Sequence, residues 1–91
     1  MREFTLDINK MTSPAKTHAY LKELLHIPEY YGGNLDALHD CLGEITTPTI
    51  IKVPKELADG TRLGAFGARL LKVLRIAAEE NSALQLRMLD K

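Results

Sequence analysis

The stretch Pro48-Thr49-Ile50-Ile51-Lys52-Val53-Pro54 is the strongest indication of the fold in this 91-residue sequence. Its β-branched residues suit the pleated, half-buried surface of a strand, and Pro54 closes the strand because proline has no N–H to donate to a sheet ladder. A short apolar run of this kind is typical of a strand buried on both faces. We therefore expect it to be the central strand, with other strands beside it.

Two alternating segments, one near each end of the chain, supply those strands. Phe4, Leu6 and Ile8 alternate with polar residues and predict a first strand with one well-buried face. Residues 83–88 alternate again and predict a third strand. Helical segments separate the strands, which favours parallel pairing with right-handed crossovers. An antiparallel third strand is the main alternative, because Asn81-Ser82 leaves only a tight connection before it.

Three helices are expected between the strands. The first begins with Ser13 at the N-cap and Pro14 at the first helical position, and it runs to about His26. The second begins at Asn34, and the longest covers about 63–80, where apolar residues recur at helical spacing. The predicted class is α/β: a three-stranded parallel sheet with about three main helices packed on it, in one domain over 1–91.

The composition limits the classes of function. Twelve basic and twelve acidic residues give a formal charge of zero, so the chain lacks the basic field that nucleic-acid binding normally requires. The sequence shows no apolar signal core and no run long enough to span a bilayer, so we expect no membrane partner and a cytoplasmic address.

Several residues that suggest chemistry have plainer interpretations. The single Cys41 rules out an internal disulfide, and on the apolar stripe of its helix it is interpreted as a buried, inert thiol. His18 and His26 are interpreted as solvated, and the scattered histidines predict no metal site. The glycines at 60, 64 and 67 fit no nucleotide-binding fingerprint and are interpreted as turn and helix-entry glycines, so no cofactor is expected.

The second helix carries the most informative surface. Gly32-Gly33 permits a sharp turn before it, and its buried stripe consists of Leu35, Leu38, Leu42 and Ile45, with Cys41 beside them. The opposite side carries Asp36, His39, Asp40 and Gly43, at i, i+3, i+4 and i+7. Two like charges at the i, i+4 spacing destabilise a helix by roughly 0.2–0.5 kcal/mol, so this acidic face calls for an explanation.

The two aspartates differ in how well helix physics explains them. Asp36 lies in the first turn, where an acid interacts favourably with the helix dipole, so it has a structural and a functional interpretation. Asp40 lies a turn deeper, where the dipole has faded and aspartate is a mediocre helix former. Asp40 therefore indicates function.

Two classes of function use this face. Tyr30 and Tyr31 offer amphipathic contact area, with one expected to pack partly against the second helix, and the aspartates offer acceptors for arginines or lysines of a protein partner. The alternatives are a generic interaction domain or a small hydrolase with Asp36, His39 and Asp40 as acid/base groups. No evident nucleophile or oxyanion donor accompanies them, so we expect a binding protein and not an enzyme.

The stretch Pro28-Glu-Tyr-Tyr-Gly-x-Asn-Leu-Asp-Ala-Leu-x-Asp-Cys-Leu42 resembles the signature of the barstar family, intracellular inhibitors of barnase-like ribonucleases. Weaker similarity in the strand 50–53, in the last helix and in the final strand extends the resemblance over essentially the whole chain. It implies the parallel fold and inhibition by occlusion, in which the loop and second helix enter the ribonuclease active site. It also implies immunity or toxin–antitoxin function for a monomer that forms a 1:1 heterodimer.

The resemblance assigns contact residues, with Asp40 as the central anchor: Tyr30, Tyr31, Gly32, Asn34, Asp36 and Asp40. We add Gly33, which neighbours them, and three positions where the chain departs from the best-known family pattern. His39 stands in place of a tryptophan, Gly43 of a threonine and Ile76 of an acid. His39 would bond to the partner or charge beside Asp40 below neutral pH, and Ile76 is either partly exposed or completes the core edge. These departures and the neutral charge favour a related ribonuclease as the partner.

Overall fold

The structure, a computed structural model, describes residues 2–27, 33–60 and 62–89. Strands and helices alternate along the chain as the hydrophobic pattern predicts. The elements are β1 (Arg2–Thr5), a 3-10 turn (Ile8–Lys10), α1 (Pro14–Leu24), α2 (Leu35–Gly43), β2 (Thr49–Val53), α3 (Lys55–Ala58), α4 (Gly64–Glu80) and β3 (Leu84–Met88).

The three strands form one parallel sheet in the order β1-β2-β3. Ile51 in the central strand lies opposite Phe4 of β1 and Leu86 of β3. The predicted central strand and the parallel pairing are confirmed, and the antiparallel alternative for β3 is wrong. The physical reason is the length of α4, which is the crossover that parallel strands need before they can pair.

The core lies against one face of this sheet. Ile51 and Val53 of β2 are fully buried there, and Leu84 of β3 is only 3% exposed. The helices add apolar side chains to the same cluster, among them Leu21, Leu38, Leu42, Leu70 and Leu74. On the opposite face Lys52 Nζ lies 2.9 Å from Glu3 Oε1, and this ion pair lowers the pKa of Glu3.

The first strand is shorter than its alternating pattern predicts. It ends at Thr5, because Asp7 Oδ1 accepts a hydrogen bond from Asn9 N at 3.0 Å and starts the 3-10 turn. Leu6 and Ile8 are buried as expected. Ile8 reaches the core from the turn and not from a strand.

The first helix begins as predicted and differs from prediction at two histidines. Ser13 Oγ accepts from Lys16 N at 3.2 Å, but the helix ends at Leu24, and His26 lies beyond it with a φ of 54°. His26 is exposed, whereas the solvated interpretation of His18 is wrong because His18 is only 7% exposed. Its ring packs edge-on against Phe66, 5.6 Å between centroids, and burial lowers the pKa of His18.

The longest helix confirms the predicted element and corrects one glycine. Gly64, its first residue, has a φ of 56°, as expected of a helix-entry glycine. Gly67 lies inside the helix, where a Cβ would come within 3.0 Å of the Leu57 carbonyl oxygen. It is therefore a close-packing glycine that lets α4 approach α3, a short helix that the sequence pattern did not predict.

Candidate functional site

Local sequence fixes the start of α2. Asn34 Oδ1 accepts a hydrogen bond from Ala37 N at 2.8 Å, which satisfies one of the unpaired N–H groups of the first turn. Gly33 has a φ of 70°, a left-handed conformation that glycine adopts at little cost. The predicted helix start is confirmed, and Asp36 lies in the first turn as expected. Three predicted contact residues lie outside the described residues: Tyr30, Tyr31 and Gly32. The packing expected of the two tyrosines therefore lies outside them as well.

The inner face of α2 packs into the core. Leu38 is fully buried and Leu42 is 1% exposed. Cys41 is only half-buried, so the prediction of a buried thiol is wrong in degree, because its side chain lies at the edge of the buried stripe and lines a surface pocket of approximately 280 Å³. Burial and the nearby carboxylates of Glu44 and Asp40 raise the pKa of Cys41, which keeps the thiol protonated and unreactive.

The outer face of α2 leaves its carboxylates open to solvent. Asp36 and Asp40 are both exposed, and 85% of the Asp40 side chain is accessible. Gly43 is exposed as well, and a Cβ built on it would meet no atom within 4 Å. The helix backbone therefore holds two acceptors in place without covering either of them.

His39 is tied to the long helix. Its Nε2 lies 2.7 Å from Glu80 Oε1, and its Nδ1 lies 3.9 Å from Asp40 Oδ1. The imidazole is 40% exposed, so it belongs partly to the acidic face and partly to the contact between α2 and α4. Sequence reasoning missed Glu80. Its position one helical turn after Ile76, which had been assigned to the same surface, is the signal that could have found it.

Asn81 holds the other end of the site. Its Nδ2 donates to the carbonyl oxygens of Leu42 and Ile45, each at 2.9 Å, and its Oδ1 accepts from Ala83 N at 3.0 Å. One side chain thus joins the end of α2, the end of α4 and the start of β3. Sequence reasoning missed this connection, since an asparagine after a helix indicates only a turn.

The remaining predicted residue is Ile76 on α4. It is half-buried, and the core cluster formed by the described residues does not include it. Of its two interpretations, partial exposure agrees better with the structure. Ile76 therefore places an uncharged, partly exposed side chain on α4, the helix that also carries Glu80.

The arrangement is suited to accepting hydrogen bonds. His39 Nε2 bonds to a carboxylate and not to a hydroxyl or thiol that it could activate. Among residues 2–27, 33–60 and 62–89, no three His, Cys, Asp or Glu side chains lie together as metal ligands. Exposed carboxylates on a convex helix can instead receive cations from a large partner.

No helix in the described parts of the chain is both long and apolar enough to cross a membrane.

Comparison with known proteins finds a family model described as "Barstar (barnase inhibitor)" that matches residues 1–89. A protein of Bacillus subtilis (strain 168) named "Putative ribonuclease inhibitor YrdF" is 36% identical over 81 residues, which cover 88% of this chain and 89% of that protein.

Proposed function

The chain belongs to the barstar family, and from that membership we propose that it is a ribonuclease inhibitor that binds its enzyme as a protein partner. The family description and the name of the Bacillus relative both support inhibition. The observation that carries the proposal is the outer face of α2, where Asp36 and Asp40 are exposed on a helix whose inner face is buried. The protein acts by binding and is not itself an enzyme.

The proposed mechanism is occlusion of the active site. A ribonuclease must bind RNA phosphates with cationic side chains, and carboxylates can occupy the same places. Asp40 is the central anchor because 85% of its side chain is accessible and because helix physics does not explain its position. Asp36 lies one turn earlier and reaches a neighbouring part of the same surface.

A rigid site increases the affinity of such a contact. α2 is capped by Asn34 at one end and bonded through Asn81 at the other, so little conformational freedom is lost on binding. The contact surface proposed around the two acids consists of Tyr30, Tyr31, Gly32, Gly33, Asn34, His39, Gly43 and Ile76.

The proposed partner is a secreted ribonuclease related to barnase. The chain has no net charge, and Ile76 and Gly43 add none to the acidic face, so long-range attraction to a basic enzyme is weak. Recognition then depends on short-range contacts near His39 and Asp40. The inhibitor acts in the cytoplasm, either against an enzyme that its own cell secretes or against a toxin from a neighbour.

The test is inhibition of a barnase-like ribonuclease. The protein is titrated into barnase and into any small secreted ribonuclease encoded beside its gene, with RNA cleavage as the readout. We expect activity to be lost at a 1:1 ratio and a substrate analogue in the active site to compete with the inhibitor. Full cleavage in excess inhibitor with both enzymes, or inhibition insensitive to the analogue, would contradict occlusion.

The enzyme alternative is tested separately. Purified protein is incubated with phosphate and ester substrates, alongside a doubly substituted protein carrying Asp36→Asn and Asp40→Asn. We expect no turnover above the buffer rate for either protein. Turnover that the double substitution abolishes would favour the hydrolase interpretation.

A further inference from the structure

Building on the proposed function, we infer that His39 and Asp40 form a paired acceptor for one arginine guanidinium of the ribonuclease, and that Glu80 positions the His39 ring for it. Two distances carry the inference: His39 Nε2 lies 2.7 Å from Glu80 Oε1, and His39 Nδ1 lies 3.9 Å from Asp40 Oδ1. They join the acidic face of α2 to the end of α4.

The bond to Glu80 decides which nitrogen of His39 accepts. An ionised carboxylate only accepts hydrogen bonds, so Nε2 carries the hydrogen in this contact. In the neutral imidazole, Nδ1 is then an acceptor with a free lone pair. Asp40 Oδ1 is an acceptor too, and 3.9 Å is too long for a hydrogen bond between them. Two acceptors thus lie side by side without a shared donor.

A guanidinium fits this pair. It presents five N–H groups on a planar fork and can donate to two acceptors at once, whereas an ammonium is a compact point charge. The neutral ring does not repel the cation, and Asp40 supplies the negative charge. Gly43, four residues after His39, has open space around it, so α2 itself does not obstruct the approach.

The surrounding contacts restrict the His39 side of the pair before binding. Asn81 fixes the end of α2 through the carbonyl groups of Leu42 and Ile45, which leaves the side-chain torsions of His39 and Asp40 as the remaining freedom near the site. The bond to Glu80 restricts the torsions of His39. Glu80 is therefore a positioning residue that acts through His39.

A double-mutant cycle in binding to barnase at pH 8 tests the positioning. His39→Gln can still donate its amide N–H to Glu80 but has no acceptor in the place of Nδ1, so we expect about tenfold weaker binding. Glu80→Ala should weaken binding about fivefold when His39 is present and leave it unchanged in the His39→Gln protein. An equal loss in both backgrounds would mean that Glu80 contacts the enzyme directly, and it would overturn the inference.

Two further variants sharpen the cycle. His39→Asn can place its amide oxygen near the position of Nδ1, so it should bind better than His39→Gln. Glu79→Ala removes the same charge from the neighbouring residue, which lines a groove beside β3, and should leave binding unchanged. Each active-site arginine of barnase is also replaced by lysine. One replacement should weaken binding to the wild-type protein more than binding to His39→Gln, and the absence of any such arginine would overturn the paired acceptor.

A measurement on the free protein separates this inference from the proposed function. The His39 Nε2–H proton should be visible by NMR and exchange slowly with water, be lost in Glu80→Ala and persist in Asp40→Asn. An unchanged signal in Glu80→Ala would overturn the positioning whether or not a ribonuclease binds. Failure of the wild-type protein to bind any ribonuclease counts against the proposed function, and the exchange measurement then decides the positioning.

Discussion

The two faces of α2 differ in burial and in the chemistry of their side chains. On the inner face, Leu38 and Leu42 are closed off from water by the sheet and α4. On the outer face, Asp36 and Asp40 are exposed to solvent and add nothing to the buried core. Buried and exposed residues therefore share the nine positions of one helix, and under the proposed function the exposed ones carry recognition. Under the proposed function, substitutions at outer positions such as His39 and Gly43 alter the contact with the partner and leave the buried face unchanged.

The substitution Asp40→Ala should separate the two faces most clearly. We expect binding to the cognate ribonuclease to weaken by about 4–5 kcal/mol, because the partner's cation is left buried and unpaired. The free energy of unfolding should change by no more than about 0.5 kcal/mol, since Asp40 is exposed. Calorimetric binding and urea unfolding measure the two quantities.

The matched control for Asp40→Ala is Glu79→Ala, which removes an exposed acid that lines the groove beside β3. It should leave the binding affinity nearly unchanged. An equal loss of affinity in both variants would show that net charge, and not the position of Asp40, governs binding.

The complementary change on the inner face is Leu38→Ala. It should lower the free energy of unfolding by about 3 kcal/mol, because Leu38 is fully buried and the surrounding core cannot close the cavity. The folded fraction should still bind its ribonuclease with near-normal affinity. Denaturant unfolding and binding measured below the unfolding transition test this. A large loss of affinity in fully folded Leu38→Ala would contradict the separation of the two faces.

Asn81→Ala should affect both faces through the end of α2. It leaves the carbonyl groups of Leu42 and Ile45 without their shared donor, so we expect a loss of about 2 kcal/mol in the free energy of unfolding. Ser82→Ala, at the exposed neighbouring position, is the control and should be nearly neutral. Equal stabilities of the two variants would show that Asn81 does not fasten α2 to α4.

Two glycines give a smaller contrast. Gly67→Ala should destabilise the protein by about 1–2 kcal/mol, because its Cβ would press on the Leu57 carbonyl oxygen. Gly43→Ala should instead raise stability by about 0.5 kcal/mol, because its Cβ meets open space and alanine favours the helix. Thermal unfolding of the pair measures both effects. Destabilisation by Gly43→Ala would show that the end of α2 is more crowded than its open surroundings indicate.

The smallest expected effect is the pH dependence that His18 contributes. Burial lowers the pKa of His18 in the folded protein, so the unfolded chain binds more protons. Its contribution to stability is therefore complete above the unfolded pKa of about 6.5 and declines as the pH falls below it. His18→Leu should make the free energy of unfolding less dependent on pH between 7.5 and 5.5. Equal slopes for wild type and His18→Leu would contradict this.

Most of the fold was predictable because the relevant signals are local. The cap at Asn34, the proline after Ser13 and the β-branched run of β2 all act within a few residues of one another. The errors arise where tertiary contacts override them. His18 is polar yet buried beside Phe66, and position 67 requires a glycine because α3 lies against it.

The candidate site divides in the same way. Asp36 and Asp40 are recognisable from helical spacing alone, since that spacing fixes which residues share a face. The contacts of His39 with Glu80 and of Asn81 with α2 join residues that are 36 to 41 positions apart. No local pattern specifies such pairs, because they depend on how two helices pack.

Local sequence signals are enough to predict the α/β class, the parallel strands, the start of α2 and the acidic face, because hydrophobic period, caps and charge spacing act through the nearby backbone. Tertiary packing is needed to explain why His39 bonds to Glu80, why Asn81 fastens α2 to α4 and why His18 is buried. These outcomes follow from the packing of α4 beside α2 and α1, which brings distant polar groups within hydrogen-bonding distance or removes them from water.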